Sequence, residues 1–227
     1  TVEASKGECN PGQHEINFRY GDALTAADEH VFFKNGAKEI AAQEGRSITF
    51  MAKYNEREGS SCHVHLSLVD ANGRAVFAEE PAVFDHFVAG MLASARELTL
   101  LHAPNINSYK RFAPGSFAPT SIEWGRDNRT CALRLVGRGA GLRVENRLPG
   151  GDVNPYLAVA GMVAAGLSGI ENQLELRGEC TGNAYEAGGE RVPWRLVDAV
   201  ELWERSEWVA ATFGEEVQAH YANMGRI

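Results

Sequence analysis

The chain has 227 residues, a formal charge of −8, 44% hydrophobic and 23% charged residues. At roughly 150 residues per domain this is one large domain or two small ones, with enough apolar residues to bury a core, which excludes a disordered or fibrous chain. The acidic balance argues against a nucleic-acid surface, and the longest apolar run, 157–167, is well short of the roughly 18 residues that span a bilayer. Four cysteines (Cys9, Cys62, Cys131, Cys180) lie far apart with no CxxC pair. They read as reduced thiols, so the expectation is a cytoplasmic protein that acts on small molecules, without nucleic-acid or membrane partners.

Residues 1–8 open without a cap or a methionine, as though cut from something longer, and suggest no element. Residues 13–20 alternate, with Ile16 and Phe18 on one face and Glu15 and Asn17 on the other, as a strand does. Residues 24–44 have helical spacing (Val31, Phe32, Ala37, Ile40, Ala41) and stop at Gly45. Residues 47–54 and 63–69 are β-rich runs joined by the polar stretch 55–61. The stripe Phe84, Phe87, Val88, Met91, Ala95 and Leu98 predicts a helix over 82–101. Residues 122–124, 130–136 and 142–148 predict three further strands. Asn154-Pro155 is an N-cap followed by proline at the first helical position. The helix it opens, 156–172, is apolar almost all round and rich in Ala and Gly, which predicts a closely packed core helix. An irregular stretch over 171–192 precedes one or two amphipathic helices in 196–221. Mixed order with adjacent strands predicts an α+β fold with a mostly antiparallel sheet covered by helices.

Three polar clusters fall on β-like faces. Glu8 and Glu15 flank the turn signal Asn10-Pro11-Gly12, so the chain can fold back and bring both carboxylates together. Such a pair suits a hard divalent ion, although alone it reads equally as two solvated glutamates. His63 and His65 are two apart on a strand and share a face, a spacing common in metal sites and also found by chance. Arg143, Glu145 and Arg147 share a face opposite Leu142, Val144 and Leu148, with Arg129 and Arg134 flanking the preceding strand and Lys110-Arg111 before it. Guanidinium groups bind phosphates and carboxylates as bidentate forks. Arginines gathered beside a carboxylate and two histidines in an acidic protein suggest a site for a polyanion and a metal.

Six ordered motifs carry a resemblance over nearly the whole chain: Pro-Gly-Gln-His-Glu at 11–15, Gly-Ser-Ser-Cys-His-Val-His-Leu-Ser at 59–67, Asn-Ser-Tyr-Lys-Arg-Phe-Ala-Pro-Gly at 107–115, Asn-Arg-Thr-Cys-Ala-Leu-Arg at 128–134, Arg-Val-Glu-Asn-Arg at 143–147 and Asn-Pro-Tyr-Leu at 154–157. Together they resemble the C-terminal catalytic domain of the glutamine synthetase family, closest in detail to its γ-glutamyl-amine ligases. The resemblance implies the family's guanidino-kinase-like fold, ATP as co-substrate, two or more Mg²⁺ or Mn²⁺ ions, and glutamate activated as γ-glutamyl phosphate before an amine displaces phosphate. By position, it implies Glu8 and Glu15 as ligands of one ion and His63 and Glu145 of the other. His65 and Ser67 fall where the family contacts ATP, and Arg129 and Arg134 where it holds phosphates. Gly59, Arg111, Arg129 and Arg147 fall at glutamate, with Arg129, Arg134 and Arg147 in the catalytic set.

Two departures refine that expectation. Ammonia-using members carry a glutamate in the loop after Pro114-Gly115 that takes a proton from ammonium; here Phe117 stands in its place. A phenyl ring suits the carbon chain of a larger amine. The family's N-terminal β-grasp domain and its extreme C-terminal helix find no match in 1–227, and family members build each active site between neighbours in a homo-oligomeric ring. The alternatives are an ammonia-using enzyme, a non-catalytic structural member, and a cupin-like metal barrel, which the long helices disfavour. The reading requires Glu8, Glu15, His63 and Glu145 to converge on one side of the sheet.

Overall fold

Alternation along four short strands separates core from site. In the computed structural model, which describes residues 1–226, β3 (Val64–Leu66), β4 (Trp124–Arg126), β5 (Leu133–Val136) and β6 (Arg143–Asn146) form a sheet in the order β3-β6-β5-β4. β6 pairs antiparallel with β3 and with β5, whereas β4 and β5 run parallel. The α+β class and the mostly antiparallel pairing follow the sequence pattern; the parallel edge pair is an addition to it. Leu133, Leu135 and Val144 are buried on one face, with Leu148 just beyond β6. Arg134, Arg143 and Glu145 alternate onto the other, as a two-residue period requires.

The core face is closed by α3 (Pro81–Ala93) and α6 (Pro155–Glu171). α3 contributes Phe84, Phe87, Val88 and Met91, and α6 contributes Ala158, Met162 and Ala165. The Asn154 side chain caps α6 by accepting from the amides of Tyr156 and Leu157, with Pro155 at the first turn. Glycine sets how closely the two helices approach. A Cβ at Gly90 would lie 2.1 Å from the Ala165 carbonyl oxygen, and one at Gly169 would lie 2.1 Å from that of His86. The Ala- and Gly-rich composition of α6 is therefore a packing requirement.

A separate hairpin joins β1 (Val2–Gly7) to β2 (His14–Phe18), with Lys6 opposite Glu15. Its turn needs Gly12, whose φ is +78°. α1 (Ala23–Gln43) follows, capped by Asp22, which accepts from the Thr25 amide at 3.0 Å. Among the described residues no helix is long and apolar enough to cross a membrane.

The structure corrects the sequence expectation in four places. Residues 1–8 include a strand, β1. Residues 47–54 are irregular, because the Asn107 side-chain amide accepts from the Lys53 amide and donates to its carbonyl, each at 2.9 Å, and so takes the bonds a neighbouring strand would. The 82–101 helix stops at Ala93 and resumes as α4 (Thr99–His102); two more four-residue helices, α2 (Val76–Glu79) and α5 (Ile106–Tyr109), flank this region. The C-terminal segment is three helices, α7 (Leu196–Arg205), α8 (Glu207–Phe213) and α9 (Glu215–Met224). It breaks at Ser206, whose hydroxyl caps α8, and at Gly214, whose φ is +87°.

The backbone contact between α3 and α6 predicts that Gly90→Ala lowers stability by about 1–3 kcal/mol through overpacking. A fall in the midpoint of urea or thermal unfolding is the expected result; an unchanged midpoint would mean that the helices separate at no cost.

Candidate active site

Register places the polar face. His65 of β3, Glu145 of β6 and Arg134 of β5 are direct cross-strand partners, so their side chains form a row across three strands. Glu145, only 4% exposed at its side chain, is the centre. Its Oε1 accepts from Arg147 Nη1 at 2.6 Å, and its Oε2 accepts from Arg134 Nη1 at 3.0 Å. His63 Nδ1 lies 3.1 Å from Oε1, and His65 Nε2 lies 3.9 Å from it. Burial raises the Glu145 pKa, but the His63 hydrogen bond and the Arg147 charge outweigh it and hold the carboxyl well below the usual carboxylate range.

Burial pushes the His63 imidazole down to about 4, so it is neutral near pH 7. With Nδ1–H donating to Glu145, the Nε2 lone pair is free, and that buried atom has no hydrogen-bond partner. Arg143 Nε donates to His65 Nδ1 at 3.2 Å, and Arg134 also donates to Asp127 through Nε at 3.0 Å.

Arg147 extends the cluster to the next loop. Its Nη2 donates to the Phe117 carbonyl at 3.2 Å. Phe117 has a φ of 56°, in the left-handed region that disfavours a bulky residue, and its side chain is exposed. Neighbouring bonds hold it there: Ser116 Oγ donates to the Ala113 carbonyl at 2.6 Å, and the Tyr185 hydroxyl donates to the Ala118 carbonyl at 3.1 Å. Phe117 borders an open cleft of about 500 Å³, whose other walls are residues 126–130 and 179–182. Arg129 is exposed in that cleft and, among the described residues, forms no ion pair.

The remaining candidates lie outside the walls of the cleft. Ser67 is exposed one residue beyond β3. Arg111 is buried, with Nη1 donating to Ser61 Oγ at 3.2 Å and Nη2 donating to the Leu148 carbonyl. Gly59 lies against it, since a Cβ there would be 2.5 Å from Arg111 Cγ. The Arg111 side chain thus packs its methylenes against Gly59 and bonds its guanidinium to Ser61 of the same loop.

Glu8 and Glu15 are brought together as the turn signal implied, but the cation between them is Lys6, whose Nζ lies 3.2 Å from Glu8 Oε1 and 3.4 Å from Glu15 Oε2. Convergence is thus observed for His63 with Glu145 and, separately, for Glu8 with Glu15. The hairpin docks on the 55–61 loop, where Gln13 Nε2 donates to the Gly59 carbonyl at 2.9 Å and Asn10 Nδ2 to Asn55 Oδ1 at 3.2 Å. Among the described residues no group of three His, Cys, Asp or Glu side chains is arranged to hold a metal.

Sequence reasoning missed Lys6, Asp127 and Tyr185. Assigning residues 1–8 to a strand would have placed Lys6 opposite Glu15. Tyr185 comes from an irregular segment with no periodicity, and it left no signal.

Comparison with known proteins places these residues in context. The family described as glutamine synthetase, catalytic domain, matches residues 1–227. The chain is 66% identical over 230 residues to the gamma-glutamylethanolamide synthetase GlnA4 of Streptomyces coelicolor, covering 100% of this chain and 50% of that protein. It is 47% identical over 234 residues to a glutamate–isopropylamine ligase of a Pseudomonas species, covering 98% and 51%. A solved GmaS/ADP complex superposes with a TM-score of 0.92 at 36% identity, covering 99% of this chain and 55% of that one. The chain spans about half the length of the curated relatives it matches.

Neutralising Glu145 should leave the buried Arg147 guanidinium without its counter-charge and Arg134 with Asp127 alone. Glu145→Gln is therefore expected to destabilise the protein by about 3–5 kcal/mol, the cost of breaking one side of a buried ion pair. Unfolding midpoints of the two proteins check this, and equal values would show that Arg134 and Arg147 find other partners.

Proposed function

The chain belongs to the glutamine synthetase family through its catalytic domain, and from that premise we propose that the whole protein is an ATP-dependent ligase joining glutamate to an organic amine as a γ-glutamyl amide. The glutamate side-chain carboxylate attacks the γ-phosphorus of ATP, and ADP leaves. The neutral amine nitrogen then attacks the acyl carbon, the bond from that carbon to the phosphate oxygen breaks, and the proton lost from nitrogen leaves with the phosphate. Arg129, exposed in the cleft, and Arg134, at its edge, are assigned to the transferring phosphoryl group, where preorganised positive charge stabilises the transition state. His65 and Ser67 are assigned to ATP. Arg147 and the Gly59 loop backed by Arg111 are assigned to glutamate.

The observation that carries the choice of amine is Phe117, exposed at the cleft wall in a backbone conformation held by Arg147 and, at Ala118, by Tyr185. A phenyl ring gives ammonium neither a charge partner nor a proton acceptor. It favours methylene groups at about 0.8 kcal/mol per CH₂ buried. The names of the ethanolamide and isopropylamine relatives support the same reading.

Divalent metal fits this residue set. His63 Nε2 is a buried, unpartnered lone pair next to an ionised carboxylate, and the Glu8–Glu15 pair already holds one cationic group, Lys6. His63 and Glu145 would hold one Mg²⁺ or Mn²⁺ ion with the Nδ1–H···Oε1 bond between them broken so that both lone pairs face it, and Glu8 and Glu15 would hold another, with Lys6 giving way. Such ions, when bound, offset the negative charge of the phosphates. We assign the full protein to a homo-oligomeric ring; the apolar Leu24, Phe32 and Ile40, exposed on α1, support a surface covered by another subunit.

Two measurements test this. Phosphate release by the full-length enzyme with glutamate, ATP and either ammonium, ethanolamine, isopropylamine or putrescine should give the highest kcat/KM with an organic amine. Phe117→Glu should shift that preference toward ammonium by on the order of tenfold, the worth of one or two buried methylenes. Ammonium as the best substrate of the unaltered enzyme would overturn the amine assignment.

The second test follows from the His63 pKa. An ordinary imidazole takes up protons below about pH 6.5 and loses its metal. His63, titrating at about 4, stays neutral to much lower pH. Mn²⁺ affinity is therefore expected to hold level from pH 7.5 to about 5.5. A fall of about tenfold per pH unit below 6.5 would show that His63 is a ligand that titrates as an ordinary imidazole.

A further inference from the structure

The far wall of the cleft holds one thiol, with a second buried behind the turn that borders it, and the proposed chemistry uses neither. Cys131 is buried at the start of the segment leading into β5, and Cys180 is partly exposed in the cleft wall. The turn that carries Cys131 and the segment that carries Cys180 are hydrogen-bonded to each other, the Ala184 amide donating to Thr130 Oγ1 at 2.9 Å. Asn128 ties both to one point. Its Nδ2 donates to the Cys180 carbonyl at 3.0 Å and to that of Gly182 at 2.8 Å, and its own carbonyl accepts from the Cys131 amide at 3.4 Å. The Cys180 amide donates to the Trp124 carbonyl at 2.9 Å, and Gly125 lies so close that a Cβ there would be 2.6 Å from the Cys180 carbonyl oxygen. Two backbone segments distant in sequence are thus locked together on either side of the thiol pair. The other two cysteines lack this arrangement: Cys9 is exposed on the hairpin turn, and Cys62 lies beside His30.

We propose that Cys131 and Cys180 are a reversible redox pair, closing to a disulfide under a peroxide and thereby remodelling the wall of the substrate cleft. The accessible partner reacts first. The Cys180 thiolate attacks one peroxide oxygen, the O–O bond breaks, and Cys180 becomes a sulfenic acid as the first water leaves. The Cys131 sulfur then attacks the Cys180 sulfur, the S–O bond breaks, and the departing hydroxide takes the Cys131 proton as a second water. Two thiols lose two electrons and peroxide gains them. The order of events follows from burial, which, with Cys180 and nearby Glu123 and Glu179, pushes the Cys131 thiol up to about 12, so Cys131 is the second sulfur to react.

The bond has a consequence for the cleft. Cys180 Sγ now points to the Gly182 carbonyl at 3.6 Å and would have to turn away from it toward Cys131. Cys180 and Gly182 belong to the wall shared with Arg129 and Phe117, so that turn changes the wall's surface. Small displacements of a substrate-positioning wall are expensive in rate.

The effect on activity rests on the ligase reading, whereas the disulfide does not, and the experiment separates them. The full-length protein is treated with hydrogen peroxide, free thiols are trapped with N-ethylmaleimide, and peptides are mapped by mass spectrometry without reduction. The expected result is a cross-linked species joining the Cys131 and Cys180 peptides, about 2 Da lighter than their sum. ATP-dependent phosphate release is expected to fall by about fivefold or more and to return with dithiothreitol. Cys131→Ala is expected to keep its activity under the same oxidant. Trapped free thiols at both positions, or Cys180 oxidised to sulfinic acid with no cross-link, would overturn the pairing. A cross-link with undiminished activity would overturn the coupling to the cleft. A reduced protein that releases no phosphate with any amine would count against the ligase reading and leave the mapping result to decide the pair.

Discussion

The polar half of the molecule depends on one buried carboxylate. Glu145 is almost fully out of water, yet it is ionised because Arg134, Arg147 and His63 each present hydrogen to it. An isolated carboxylate in that position would take up a proton, and the two guanidiniums would then repel each other across a few ångströms. The carboxylate sets where both arginines point and which nitrogen of His63 carries the proton. A salt-bridged cluster of this kind is weak evidence for stability, because desolvation consumes most of its Coulombic gain. Its structural contribution is orientation. Three strands, β3, β5 and β6, are held in one register by side chains on the side away from the apolar core.

Arg147 carries that orientation to the loop that lines the cleft. One end of its guanidinium is fixed on Glu145 and the other on the Phe117 carbonyl. Phe117 holds a positive φ that costs on the order of 1–3 kcal/mol for a bulky side chain, so the conformation persists only where its surroundings over-determine it. Ser116, Tyr185 and Arg147 supply those constraints from three directions, bonding within the loop, from the irregular segment and from the sheet respectively. The exposed ring at the cleft wall and the buried ion cluster are consequently one mechanical unit, although Phe117 and Glu145 share no contact of their own in this network.

Parity made much of this legible in the sequence. Once 63–69, 130–136 and 142–148 were read as strands, the two-residue period put His63, His65, Arg134, Glu145 and Arg147 on polar faces, and the register pairs His65, Glu145 and Arg134 in a single row. Asn10-Pro11-Gly12 gave the turn that joins Glu8 to Glu15. What sequence could not supply were interactions made by side chains standing in for backbone. Asn107 brackets Lys53 and cancels a strand whose residue types were otherwise suitable. Lys6 was hidden because an exposed edge strand such as β1 has no buried face and therefore no apolar alternation to read. Tyr185 and Cys180 come from a stretch positioned by single hydrogen bonds to the sheet edge, such as Cys180 to Trp124, and no periodic pattern announces that kind of docking.

The charges also sort by place, and this limits what each part of the site can attract. Around the sheet, four guanidiniums (Arg129, Arg134, Arg143 and Arg147) stand with two carboxylates, Asp127 and Glu145, and the histidines His63 and His65, which burial pushes toward the neutral form. That face is net positive and draws anions such as phosphates and carboxylates. On the hairpin, two carboxylates share one ammonium, so that side is net negative and draws cations. Gln13 bonds the hairpin to the Gly59 loop, and Arg111 packs against the same loop while bonding to the backbone at the end of β6. An anion-seeking surface and a cation-seeking one are thereby held to a common support. In a net acidic protein, where long-range attraction of an anion is unfavourable, this local segregation puts an anion-attracting and a cation-attracting surface side by side. Lys6 offsets the mutual repulsion of the two carboxylates on the negative side.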